Sequence, residues 1–134
     1  MTKIIDVEGI GAVYAQKLAS IGITTTNKLL KKGATPQGRT DLEEKTSISH
    51  NLILEWVNLC DLFRIKGVGE EYSDLLEEAG VDTVPELAQR NPENLYAKLV
   101  ETNEMKKLVR QLPSLRQVAD WVTQAKSLPR EIKY

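Results

Sequence analysis

The chain repeats itself, and that limits its fold more than any other feature. Gly9-Ile10-Gly11 recurs as Gly67-Val68-Gly69, an offset of 58 residues. At the same offset Tyr14 pairs with Tyr72, Leu18 with Leu76, Gly22 with Gly80, Ile23 with Val81, Thr25 with Thr83 and Leu29 with Leu87. Farther on, Ser49, Ile53, Trp56 and Val57 pair with Ser114, Val118, Trp121 and Val122, now at an offset of 65. The second copy thus carries 7 extra residues between its glycine pair and its tryptophan. Self-similarity of this kind marks a duplicated supersecondary unit, and it divides the chain into copies at 1–58 and 59–134.

The apolar spacing within each copy is helical. Tyr72, Leu75, Leu76 and Ala79 fall on one face of a helix that stops at Gly80. Thr83-Val84-Pro85-Glu86 has the pattern of a capping box with an early proline, and Asn91-Pro92 starts a further helix carrying Leu95, Leu99 and Val100. Met105, Leu108, Val109 and Leu112 make another helical stripe, closed by Pro113. Ser114 and Gln117 form a second capping box ahead of Val118, Val122 and Ala125. In the first copy, Pro36 opens a helix to about Lys45 and Ser49 caps the next. That helix, Leu52 to Phe63, is apolar almost all the way round, which predicts burial. It is expected to be a central strut near residues 50–63, shared by both copies within one compact domain. Strict strand alternation is scarce, so the expected class is all-α with little or no sheet.

Each Gly-x-Gly stands in the turn just before a helix. Glycine there permits backbone angles closed to other residues and lets a ligand approach the main chain. The middle residue, Ile10 or Val68, is expected to point inward and pin the turn. The N–H groups at the start of the next helix offer an anion site, reinforced by the helix dipole. A dinucleotide fingerprint is excluded, because it needs a preceding strand and a third glycine that neither copy has.

These residues resemble the helix-hairpin-helix superfamily, whose turn is followed by a small residue and then an apolar one. The first copy supplies Gly9-Ile10-Gly11, Ala15 and Leu18; the second supplies Gly67-Val68-Gly69, Ser73 and Leu76. Over most of its length the chain is similar to the bacterial family called domain of unknown function 4332, which carries such repeats. The resemblance implies two helix-hairpin-helix repeats fused into one helical domain. It further implies sequence-independent binding of DNA or RNA backbone phosphate by hairpin amides. Some relatives hold a monovalent cation through hairpin carbonyls, and many use the fold only to touch proteins.

Charge distinguishes the two hairpins. DNA-binding members of the superfamily usually place lysine or arginine just after the second glycine, where this chain has Ala12-Val13 and Glu70-Glu71. From Lys66 to Glu93 there are two basic residues against eight acidic ones, a poor surface for phosphate. The first hairpin has Lys17 nearby, with Lys28, Lys31 and Lys32 farther along. The candidate nucleic-acid site is therefore Gly9, Ile10, Gly11, Lys17, Lys28, Lys31 and Lys32. Gly67, Val68 and Gly69 are assigned a structural or partner-binding role. Residues 94–134 reverse the sign, with eight basic against four acidic. Opposite charges on the two stretches fit either ordinary solvated faces or head-to-tail association and a charge-matched protein partner.

Other chemistry finds no foothold. Cys60 is the only cysteine and His50 the only histidine, so neither a disulfide nor a cysteine–histidine metal cluster is expected. No nucleophile and base stand in a recognisable arrangement, and neither catalysis nor a cofactor is expected. Tyr14, Tyr72, Trp56 and Trp121 occupy matched positions and are expected to pack between helices. No apolar run nears the roughly 20 residues of a membrane span, and the first residues lack the pattern of a secretion signal, so a cytoplasmic location is expected. The net charge of −1 gives no overall pull toward polyanions. Two functions remain open: weak, sequence-nonspecific nucleic-acid binding, or a protein-interaction scaffold.

Overall fold

The computed structural model describes residues 2–134. Among these residues are eight α-helices, one short 3-10 turn and no strand. The class is all-α, and a single antiparallel bridge between Lys3 and Thr25 is the nearest approach to a sheet. The chain divides into two compact units. The first runs to Asp61 and takes in Glu131–Tyr134; the second is Leu62–Arg130. The repeat boundary at 58/59 thus lies three residues before the point where the units part, and the last four residues join the first unit.

The first unit opens with the 3-10 turn Ile4–Asp6, succeeded by α1 (Ala12–Ala19), α2 (Thr26–Gly33), α3 (Pro36–Thr46) and α4 (His50–Leu62). Side-chain caps set the starts. Thr25 accepts from Lys28 N–H at 3.2 Å, Thr35 from Gly38 N–H at 3.1 Å, and Ser49 from Leu52 N–H at 3.3 Å. The bond from Ile23 N–H to Leu18 C=O, 2.9 Å, closes α1. Leu18, Leu29, Leu42, Ile53, Trp56, Val57 and Leu59 form the core. As its composition requires, α4 is buried at Ile53, Trp56, Val57, Leu59, Cys60 and Leu62.

The tail is tied to this unit by Arg39. Arg39 is only 3% exposed, and its guanidinium donates through Nη1 to Gly33 C=O and through Nη2 to Lys133 C=O, each at 2.8 Å. Lys133 N–H donates to Ala34 C=O at 2.7 Å, Tyr134 Oη to Asn58 Oδ1 at 2.8 Å, and Ile132 is buried. A buried charge demands such partners, and here main-chain carbonyls and the Tyr134 ring, 5.8 Å from the guanidinium, supply them.

The second unit holds α5 (Glu70–Glu78), α6 (Val84–Ala88), α7 (Pro92–Lys106) and α8 (Leu115–Ser127). Leu75, Leu76, Val81, Leu87, Leu95, Leu99, Val118, Trp121 and Val122 pack into one core. Asn91 caps α7, and Ser114 with Gln117 forms the full capping box of α8. Val81 N–H to Leu76 C=O, 2.8 Å, closes α5 as Ile23 closes α1.

Two local expectations are corrected. The stripe from Met105 to Leu112 is not one helix: Met105 lies in the last turn of α7, which ends at Lys106, and Lys107 turns left-handed with φ 52°. The Asn103 amide then clasps Val109, accepting its N–H at 3.0 Å and donating to its C=O at 3.3 Å. Val109 is buried and Leu108 and Leu112 pack on the core from this irregular segment, which satisfies three of the four apolar positions without a helix, while Met105 stays exposed. Thr83 precedes α6 as expected but makes no cap bond; its hydroxyl donates instead to Glu86 Oε1 at 3.4 Å.

Candidate functional site

The two glycines of each turn do different work. Gly9 and Gly67 have φ of 90° and 96°, a region that side chains resist. A Cβ on either would also press on a tryptophan, lying 3.3 Å from Trp56 Nε1 at Gly9 and 3.1 Å from Trp121 Nε1 at Gly67. Those tryptophans pack against Tyr14 and Tyr72 with tilted rings, at centroid distances of 5.1 and 5.3 Å, which accounts for the matched aromatic positions. Ile10 and Val68 are buried and pin the turns from beneath.

Gly11 and Gly69 carry no such demand. Their φ values are −85° and −116°, and a Cβ on either would meet nothing within 4 Å. Each is the N-cap of its helix and offers no side chain to the first-turn N–H groups, which have no partner within the helix. The backbone at Gly11 is thus open to an outside acceptor. Gly69 differs in its neighbours: Glu70 and Glu71 place two carboxylates in the first turn of α5 and already satisfy the dipole.

The candidate lysines separate into two groups. Lys28, Lys31 and Lys32 of α2 line one concave pocket of about 500 Å³, together with Ile21, Gly22, Ile23 and Lys45. Lys17, near the end of α1, and Gly9, Ile10 and Gly11 are not among its lining residues. Lys45 is not among the residues that the sequence singles out, although the two-residue connection Ala34-Thr35 between α2 and α3 signals that these helices must lie close. Their contact depends on Gly38. A Cβ there would fall 1.8 Å from the Lys32 carbonyl oxygen, so only glycine lets α3 start against the end of α2.

One carboxylate tempers the pocket. Lys32 Nζ lies 3.3 Å from Asp41 Oδ2, and Gln37 Nε2 donates to Asp41 Oδ1 at 3.1 Å. The Gln37 and Lys32 hydrogen bonds, with the charges of Lys32 and Lys45, hold the Asp41 carboxyl below its ordinary range. It is therefore an anion near neutrality and partly offsets Lys32. Lys28 Nζ is 3.3 Å from Thr24 Oγ1, a neutral partner that leaves its charge uncompensated. Four ammonium groups against one carboxylate make the pocket net positive, in a chain whose total charge is −1.

This chemistry is not repeated in the second unit. The positions matched to Lys28 and Lys31 are Glu86 and Gln89, the one matched to Lys17 is the buried Leu75, and only Lys32 has a basic match, Arg90. Elsewhere, burial and the neighbouring Asp61 push the Cys60 thiol far up, so it is no nucleophile. Among the described residues no group of three or more His, Cys, Asp or Glu is placed to hold a metal, and no helix is long and apolar enough to cross a membrane.

Comparison with known proteins gives one match. The family described as a domain of unknown function (DUF4332) matches residues 8–128, most of the chain. No curated protein and no solved structure matches.

Proposed function

The chain belongs to the family described as a domain of unknown function (DUF4332), and we propose that it is a non-catalytic tandem helix-hairpin-helix module that grips nucleic-acid phosphate through its first unit. The observation that carries this reading is the pocket on which Lys28, Lys31, Lys32 and Lys45 converge. The open backbone at Gly11, with Lys17 on the same helix, adds a second phosphate contact in the same unit. Lysine is a compact point charge on a flexible stem, suited to phosphate without base selection. Binding is accordingly weak, indifferent to sequence and strongly dependent on salt.

Fluorescence anisotropy with labelled DNA and RNA across a salt series tests this. With about three phosphate contacts, the slope of log K against log salt is expected near −2 for single strands and −3 for duplex. Gly11→Glu and the pair Lys31→Glu with Lys45→Glu are expected to lower affinity at least tenfold. Asp41→Asn, which releases Lys32, is expected to raise it severalfold. No binding at micromolar protein in low salt would reject the proposal.

A second reading rests on Glu70 and Glu71. The first turn of α5 repels phosphate yet leaves Gly69 open, as a surface for a basic protein partner would. Under that reading the second unit is the docking element and the molecule is a scaffold, or associates with its own copies.

A further inference from the structure

The pocket is more than a set of charges. Its lining combines Lys28, Lys31, Lys32 and Lys45 with Ile21, Gly22 and Ile23, from the turn between α1 and α2. Ile23 is buried and Ile21 partly exposed, so the turn presents hydrocarbon to the pocket while the lysine stems carry their charge to its rim. The recess is open to solvent on one side, and its volume of about 500 Å³ is room for one flat base and its phosphate. A surface that only tracked a duplex backbone would need no such recess. The phosphates of a duplex lie on the outside of a rigid rod whose bases are paired and stacked within, so its base faces cannot reach the turn.

Resting on the phosphate-binding reading, we infer that the pocket takes one unpaired nucleotide, its base against Ile21 and its phosphate among Lys28, Lys31 and Lys45. Lys32 is committed to Asp41 and plays the smaller part. Apolar contact with a base face is tolerant of sequence, because every base has such a face, and it favours strands whose bases are free. The shared chemistry is a flat base joined to phosphate, supplied either by a single strand or by a free nucleotide.

The test compares three probes on the intact protein at low salt: a labelled 12-nucleotide single strand, the same sequence as a duplex, and ADP as competitor. The single strand is expected to bind at least tenfold tighter than the duplex. Ile21→Ser is expected to weaken single-strand binding at least threefold, and Ile21→Trp to strengthen it, with circular dichroism checking that both variants fold. Displacement of the strand by micromolar ADP would show that a lone nucleotide suffices; resistance to ADP would show that the strand's further phosphates are needed. Equal affinity for duplex and single strand, or no effect of either Ile21 change, would overturn the inference while leaving phosphate binding intact. Absence of binding to every probe would overturn both.

Discussion

At the scale of single residues, the two glycines of the first turn carry opposite predictions. Gly9 has a positive φ and Trp56 beside it, so Gly9→Ala combines left-handed strain, about 1–2 kcal/mol, with a contact that must yield. Gly11→Ala meets neither cost, and by restricting the unfolded chain it is expected to be neutral or stabilising by up to about 1 kcal/mol. Urea unfolding of both variants checks this: a lower midpoint for Gly9→Ala and an unchanged or higher one for Gly11→Ala. Equal losses would mean that Gly11 is also demanded by the fold. Both glycines are visible in the sequence but their difference is not, because spacing reveals a turn and not which residue turns left-handed. Lys45 is illegible for a related reason. It is far from Lys28 in sequence, and only the close approach at Gly38 brings the two to one pocket.

At the scale of elements, caps are the most legible signals. Ser49, Asn91 and Ser114 each stand before a helix and accept a bond from its first turn, because a short polar side chain has few better uses at such a place. The stripe Met105, Leu108, Val109 and Leu112 misleads for the opposite reason. Apolar periodicity suggests which positions face a core, and an irregular segment held by a side chain can bury most of them, here all but the exposed Met105. The clasp of Asn103 on Val109 is what competes with the helix. Asn103→Ala removes both bonds at a part-buried place, with an expected loss of about 1–3 kcal/mol. Thermal unfolding reads the loss; an unchanged midpoint would show that packing of Val109 alone holds the segment.

At the scale of the whole molecule, periodicity is enough to give the all-α class, whereas the allotment of the tail is not legible. Nothing in Glu131-Ile132-Lys133-Tyr134 indicates that it belongs with the first unit rather than the second. That placement comes from the buried Arg39, whose two main-chain acceptors include the Lys133 carbonyl, and from burial of Ile132. Ile132→Ala is expected to cost about 2–4 kcal/mol and to lower hydrogen-exchange protection in α2 and α3 while sparing α7. Unchanged protection there would mean that the tail adds nothing to the first unit. The matter has a functional side, since α2 and α3 carry the pocket lysines.

The decisive question for function is where a nucleic acid touches the chain. The most direct measurement is a titration of isotope-labelled protein with an unlabelled single-stranded oligonucleotide, monitored residue by residue through amide chemical shifts. Phosphate and base binding by the first unit predicts that the largest shifts fall between Gly9 and Lys17, along the turn from Ile21 to Lys32 and at Lys45, and that they fade as salt is added. Shifts confined to α5 and its neighbours, or none at all, would contradict it and point to a scaffold that works through its acidic second hairpin.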